Sequence, residues 1–286
     1  MTTISCGAKI NLGLRITGKR EDGYHTIDSF FYPLPHPCDT LTIAESTTPG
    51  LSLRSTIALP EDNTLRRIYQ AVSQKIPLPG FHITLTKSIP VGSGLGGASS
   101  DAAAFLRYLD SFLGHPFSEH EITELATRAG ADVPFFLTNK PARVQGIGDE
   151  CTLATLTPLP LRLLLVSPPI FLATPKVYAQ FDAKTPAITL TKQDIPLTLR
   201  LLHNQACIPW SIENDLEAPA LTLCPELVTL RKSLESPRVL GLGMSGSGSS
   251  LYALYGMEDA AALQTSKASL EARGLRCFSM VLGSPD

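Results

Sequence analysis

Residues 90–101 read PVGSGLGGASSD, and the glycines at 92, 94, 96 and 97 constrain this chain more than any other stretch. Glycine reaches positive φ at little cost and carries no Cβ, so such spacing lets backbone N–H groups converge on an anion. Ser99, Ser100 and Asp101 then lead into Ala102, Ala103, Ala104, Phe105 and Leu106, a helical run with Ser99 as the expected N-cap. The free N–H groups of such a helix start favour negative charge. A plain surface connection is the alternative, but a loop joined to a capped helix points to phosphate.

Composition narrows what that phosphate belongs to. Lys and Arg number 24 against 26 acidic residues, for a net charge of −2, so no broad basic field exists to hold a nucleic acid or a membrane surface. Small-molecule partners are expected instead, and the oligomeric state is left open. At 286 residues and 43% hydrophobic, the chain suits two ordinary domains with a sizeable core. The six cysteines form no C-x-x-C pair and the six histidines no H-E-x-x-H, so reduced thiols and no protein-built metal cage are expected. The most apolar stretch, residues 161–173, is broken by Arg162, Pro168 and Pro169 and falls short of the roughly 20 residues that span a bilayer. A cytoplasmic protein is the expectation.

Alternation over residues 4–14 predicts a strand with Ile4, Cys6, Ala8, Ile10 and Leu12 on one face and Lys9 and Asn11 on the other. A lone strand lysine is ordinarily solvated, but Asp22-Gly23 predicts a hairpin that returns Tyr24, His25 and a second strand, 26–32, towards it. Further strands are expected at 39–44, 51–55 and 81–86, and helices at 63–75 and from Ser99 to about Leu113. Ser118 and Glu121 predict a capping box for a helix ending near Gly130. Asp132 then sits between that glycine and Pro134, where it is either the N-cap of a new helix or a chemical group. A strand and hairpin over 143–148 follow, and TLTPLP at 155–160 reads as the crossing between domains 1–155 and 156–286.

The second half begins with a buried strand at 161–166 and a largely irregular span at 168–196, with a helical piece near 176–181. Helical spacing at 213–216 and 225–234, strands at 238–242 and 249–255, a helix at 258–273 and a strand at 277–282 complete a split βαβ order. A second glycine loop, GLGMSGSGSS at 241–250, joins two of these strands.

Among glycine-loop chemistries, Walker A fails because Ala98, not lysine, follows Gly97. Gly92, Gly94 and Gly97 match the dinucleotide spacing, but residues 87–90 separate them from the strand, which a Rossmann turn would follow directly. Neither loop reads G-x-S-x-G.

Taken together, residues 90–101, 243–254 (GMSGSGSSLYAL) and 8–25 (AKINLGLRITGKREDGYH) resemble the GHMP kinases, with GADVPFF at 130–136 as a fourth landmark. Residues 8–25, with 130–136, narrow the resemblance to the branch that phosphorylates a methylerythritol carried on cytidine diphosphate. The resemblance implies an α+β chain with a ribosomal-S5-like N-terminal and a ferredoxin-like C-terminal domain. It also implies transfer of the ATP γ-phosphoryl group, with Mg²⁺ accompanying the nucleotide.

By position, Asp132 matches the catalytic aspartate and Lys9 the lysine beside it. Pro90, Val91, Gly92, Ser93, Gly94, Leu95, Gly96, Gly97, Ala98, Ser99 and Ser100 match the phosphate cradle, and Lys87, Asn63 and Leu65 the neighbourhood of adenine. Asn11, Gly243, Ser245 and Gly246 match the acceptor side. Tyr24 and Tyr178 match an aromatic bracket around cytosine, and His25 the reader of its edge. Gly7, Thr64 and Ala98 depart from the family pattern. Another acceptor such as mevalonate or homoserine, an S5-like RNA-binding protein and a nicotinamide oxidoreductase are the competing expectations.

Overall fold

A computed structural model describes residues 1–154, 161–184 and 210–282, with the side chains of Trp210 and Ser211 left aside. The domain crossing expected at 155–160 and the part of the expected irregular span at 185–196 lie outside the described residues.

The hairpin announced by Asp22-Gly23 organises the first half. Strand β1 (Thr2–Lys19) pairs antiparallel with β2 (His25–Ser46), and Gly23 turns the chain at a φ of 89° while the Asp22 carboxylate accepts from the Tyr24 N–H. The two strands expected at 26–32 and 39–44 are one. Register shifts between Cys6 and Ala8 and between Asn11 and Leu14 bend the ladder without ending it, as bulges do.

Strands β3 (Leu51–Ser55) and β4 (Gly80–Thr86) pair in parallel around helix α1 (Thr64–Ser73), and β5 (Ala142–Gln145) with β6 (Glu150–Leu153) closes the far edge. The sheet order is β3-β4-β2-β5-β6, with β1 also on β2. Helices α2 (Gly97–Phe112), α3 (Glu119–Ala129) and α4 (Val133–Thr138) pack Phe105, Leu109, Leu125 and Phe135 against Phe31, Leu41 and Ile83 of the sheet. The expected capping box opens α3, with the Ser118 hydroxyl accepting from the Glu121 N–H and the Glu121 carboxylate accepting in return. The cap of α2 differs from expectation: Gly96, at φ 74°, holds that position, and Ser99 and Ser100 donate their N–H groups to its carbonyl from inside the first turn.

In the second half, β7 (Leu161–Ser167), β8 (Trp210–Ser211), β9 (Val239–Met244), β10 (Leu251–Gly256) and β11 (Arg276–Leu282) form a sheet ordered β11-β7-β10-β9-β8. Apart from β8, this is the expected ferredoxin-like order. Helix α5 (Thr174–Lys184) follows β7, and α6 (Glu217–Leu223), α7 (Pro225–Leu234) and α8 (Ala260–Glu271) cover one face.

The helix expected from residue 213 starts later because the preceding residues are pinned to β1. Leu14 bridges Asn214, and the Asp215 carboxylate accepts from the Ile16 N–H at 2.7 Å. Strand β1 is therefore clad on both faces: Ala8, Ile10 and Leu12 pack with Leu163, Leu165 and Leu254 of the second sheet, leaving Lys9 and Asn11 buried on its opposite face.

Candidate active site

The glycine loop is held by its carbonyls, which frees its N–H groups. The Leu95 carbonyl accepts from the Lys9 N–H, Ser93 from the Ser250 N–H, Gly94 from the Ser245 hydroxyl and Pro90 from the Ser93 hydroxyl. Among the described residues, no backbone carbonyl accepts from the N–H groups of residues 91–98. They face a cleft of about 940 Å³ together with the N-terminus of α2, whose dipole adds positive potential.

The second glycine loop meets the first. A Cβ on Gly94, already at φ 76°, would lie 1.9 Å from the Ser245 carbonyl oxygen. Gly94→Ala is expected to push the loops apart, lowering thermal stability and ATP affinity together, as thermal melts and nucleotide titration would register; unchanged affinity would refute the cradle.

At the cleft floor, Lys9 is 3% exposed, with its Nζ 3.5 Å from Asp132 Oδ2, 2.6 Å from Asn11 Oδ1 and 4.4 Å above the Phe31 ring. Burial pulls its pKa below the usual lysine range, opposed by the Asp132 charge. Asp132 occupies the N-cap position of α4 but makes no capping hydrogen bond, so its carboxylate, 31% exposed, is turned to Lys9 and the cleft. The solvated reading of Lys9 and the capping reading of Asp132 both fall here.

Asn11 lines the cleft too, yet its amide is committed: Nδ2 donates to Ser29, and Oδ1 accepts from Lys9. It orients Lys9. Gly246 lines the cleft, whereas Gly243 and Ser245 lie elsewhere than expected. Gly243 is inside β9 against the Tyr252 ring, and the buried Ser245 hydroxyl ties Asn11 to Gly94. Ser100 is likewise buried inside α2, leaving Ser99 at the cleft.

The expected adenine residues border the cleft with their polar groups already in use. Asn63 caps α1, accepting from the Arg66 N–H and donating to the Pro60 carbonyl, and Leu65 is buried in the core beneath it. Thr64, one of the departures from the family pattern, donates to the Ala98 carbonyl at 2.9 Å and so ties α1 to the cradle. Lys87 is buried between Asp39 and Asp101, with 2.9 Å to the latter. Asp39 also accepts from the N–H groups of Ser88 and Ile89, so this trio anchors the approach to the glycine loop. Asp39 carries no motif signal; only its place opposite Lys87 across the β2–β4 pairing reveals it.

Across the cleft, the Tyr178 ring stacks on His25 with centroids 4.8 Å apart and planes at 28°, while Tyr24 is 62% exposed at the rim. Among the described residues, no ring contact joins the two tyrosines, and the imidazole covers one face of Tyr178. Burial raises the Tyr178 pKa, and the Asp132 charge adds to it, which ties this end of the cleft to its floor.

Residues 63–140 match the family described as GHMP kinases N terminal domain, and residues 187–270 that described as GHMP kinases C terminal. A 4-diphosphocytidyl-2-C-methyl-D-erythritol kinase of Nitratidesulfovibrio vulgaris is 33% identical over 98% of this chain and 98% of its own length. One of Chlorobium phaeobacteroides is 37% identical over 87% of this chain and 84% of its own. A crystal structure of 4-(cytidine 5'-diphospho)-2C-methyl-D-erythritol kinase aligns with a TM-score of 0.79 at 30% identity, covering 99% of this chain and 100% of that one. A homoserine kinase from Cytophaga hutchinsonii, at 20% identity and a TM-score of 0.72, covering 99% of this chain and 96% of its own, shares the fold. With cradle, buried lysine and facing aspartate in this family's order, the chain belongs to the 4-diphosphocytidyl-2-C-methyl-D-erythritol kinases within the GHMP kinase family.

Proposed function

We propose that this chain transfers the ATP γ-phosphoryl group to the 2-hydroxyl of 4-diphosphocytidyl-2-C-methyl-D-erythritol. The observation that carries the reading is the Lys9–Asp132 pair on the floor of one cleft, with a donor-rich phosphate cradle on one side and the His25–Tyr178 stack on the other. Phosphoryl transfer asks the protein to orient the alcohol, neutralise oxygen charge and accept the hydroxyl proton. Asp132 accepts that proton at its carboxylate, Lys9 steadies the developing alkoxide, and the residue 91–98 amides hold the phosphates.

Mg²⁺ suits this site as an ion carried by the nucleotide. Among the described residues, no group of three or more His, Cys, Asp or Glu side chains could hold a metal, and the hard oxygen donors lining the cleft include the Ser99 hydroxyl and the Asp132 carboxylate. An ion bound largely through phosphates and water needs little more, and it would neutralise phosphate charge. Likewise, no described helix is long and apolar enough to cross a membrane, and the balanced charge gives no support to an RNA-binding reading.

Offering a panel of alcohols with labelled ATP and identifying the phosphorylated product tests the assignment directly. Base stacking on an aromatic ring is worth about 1–3 kcal/mol. Tyr178→Ala is therefore expected to raise the KM for the cytidine-diphosphate acceptor about tenfold or more and to leave that for ATP nearly unchanged. A uridine analogue should be a markedly poorer substrate, since its exchanged donor and acceptor leave buried groups unpaired. Equal turnover of the two bases would move the chain to another acceptor.

A further inference from the structure

Four residues beyond Tyr178 on the same face of α5, Asp182 reaches back to the hairpin. Its Oδ1 lies 2.6 Å from His25 Nε2 and its Oδ2 2.6 Å from Lys19 Nζ. These contacts bridge 157 and 163 residues of chain, and all three side chains line the cleft. We infer that Asp182 is a positioning residue of the acceptor site: paired with Lys19, it holds His25 in the tautomer whose Nε2 carries the proton, and thereby sets the polar face His25 offers to a nucleobase. The inference rests on the cytidine reading of this end of the cleft.

The chemistry follows from what each group can give. An ionised carboxylate only accepts, and the Lys19 ammonium occupies its other oxygen, so the imidazole must donate from Nε2. Burial alone would raise the Asp182 pKa, but the hydrogen bonds from Lys19 and His25 outweigh it and keep the carboxyl below its ordinary value. In the neutral ring, Nδ1 is then left with its lone pair, because the bond at one nitrogen decides the state of the other. A ring that presents an acceptor suits an amino edge such as that of cytosine and is mismatched with the carbonyl edge of uracil. Tyr178 against its face and the Phe181 ring edge-on at 6.2 Å fix the plane in which that lone pair lies.

A tie that merely braced α5 against the hairpin would have the same distances, so the test reads both tautomer and selectivity. Imidazole ¹⁵N spectra of the wild-type protein should show His25 as the Nε2–H form, and Asp182→Asn should lose that pattern. Asp182→Asn should also raise the KM for the cytidine-diphosphate acceptor about tenfold and cut the cytidine-over-uridine preference by a similar factor. The KM for ATP and kcat should stay within about twofold. Lys19→Met, at a half-exposed side chain, should give a smaller change of the same sign and serves if Asp182→Asn fails to fold. An Nδ1–H form in the wild type overturns the inference. So does an unchanged base preference in a folded Asp182→Asn, or a fall in melting temperature that moves both KM values in parallel. Wild-type protein that fails to phosphorylate the cytidine compound overturns the proposed function and this inference together, whereas an active wild type with an unaltered variant overturns this inference alone.

Discussion

Asp132→Asn is expected to lower turnover by about 10²–10⁴-fold, the usual worth of a positioned general base. The amide keeps the shape of the carboxylate and has no capping bond to lose, because Asp132 makes none. Helix α4 should therefore stay in place. Lys9, which Asp132 faces at 3.5 Å, keeps its bond to Asn11 and its place over Phe31. Binding of ATP and of the acceptor should change far less than kcat, since neither the cradle amides nor the His25–Tyr178 stack touches the altered atom. Single-turnover measurements separate the chemical step from binding. Near-normal turnover would demote Asp132 to a bystander and leave the lysine as the main contribution of the floor.

The largest stability effect is expected at Lys87→Met. The ammonium sits between carboxylates that are 0% and 2% exposed, and removing it leaves two buried negative charges facing each other. Breaking a buried pair in this way costs about 3–5 kcal/mol, a fall in melting temperature on the order of 10 °C for a chain of this size. The pH dependence follows from Asp101, whose pKa is pushed up to about 6 by burial first and by Asp39, against the pull of Lys87. Without the lysine it rises further. A carboxyl with a folded pKa above its unfolded value stabilises the fold fully below the unfolded value and loses that contribution as pH rises through the folded one. The deficit of Lys87→Met should thus be small near pH 4 and grow as pH rises through 6 and above. Melts of wild type and variant across that range check it, and a deficit independent of pH would mean that packing rather than charge is at stake.

Much of this was legible in the residues themselves. Asp22-Gly23 and the Ser118–Glu121 box are local signals that local hydrogen bonds satisfy, and the glycine spacing is a local signal whose loop distant partners hold. Period-2 alternation placed Lys9 and Asn11 on one face, but burial of both faces of β1 depends on a second sheet more than 150 residues away, which alternation does not encode. Asp182, Asp39 and Ser29 escaped notice for the same reason: each is an ordinary polar residue until pairing brings it to its partner. The serines after the glycines suggest a side-chain cap, whereas Gly96 takes that position itself and leaves no side-chain clue.

The bond from the Lys9 N–H to the Leu95 carbonyl fixes a ruler inside the protein. The proposed acceptor floor and the proposed bed of the phosphates are one backbone hydrogen bond apart, and the Ser245 hydroxyl pins the same two segments from the far side. The line along which a phosphoryl group travels is therefore set independently of the walls that choose what it travels to. On the proposed assignment the recognising residues sit on α5 and the hairpin turn, which can change without disturbing that line. A scaffold divided in this way can exchange its acceptor while keeping its reaction.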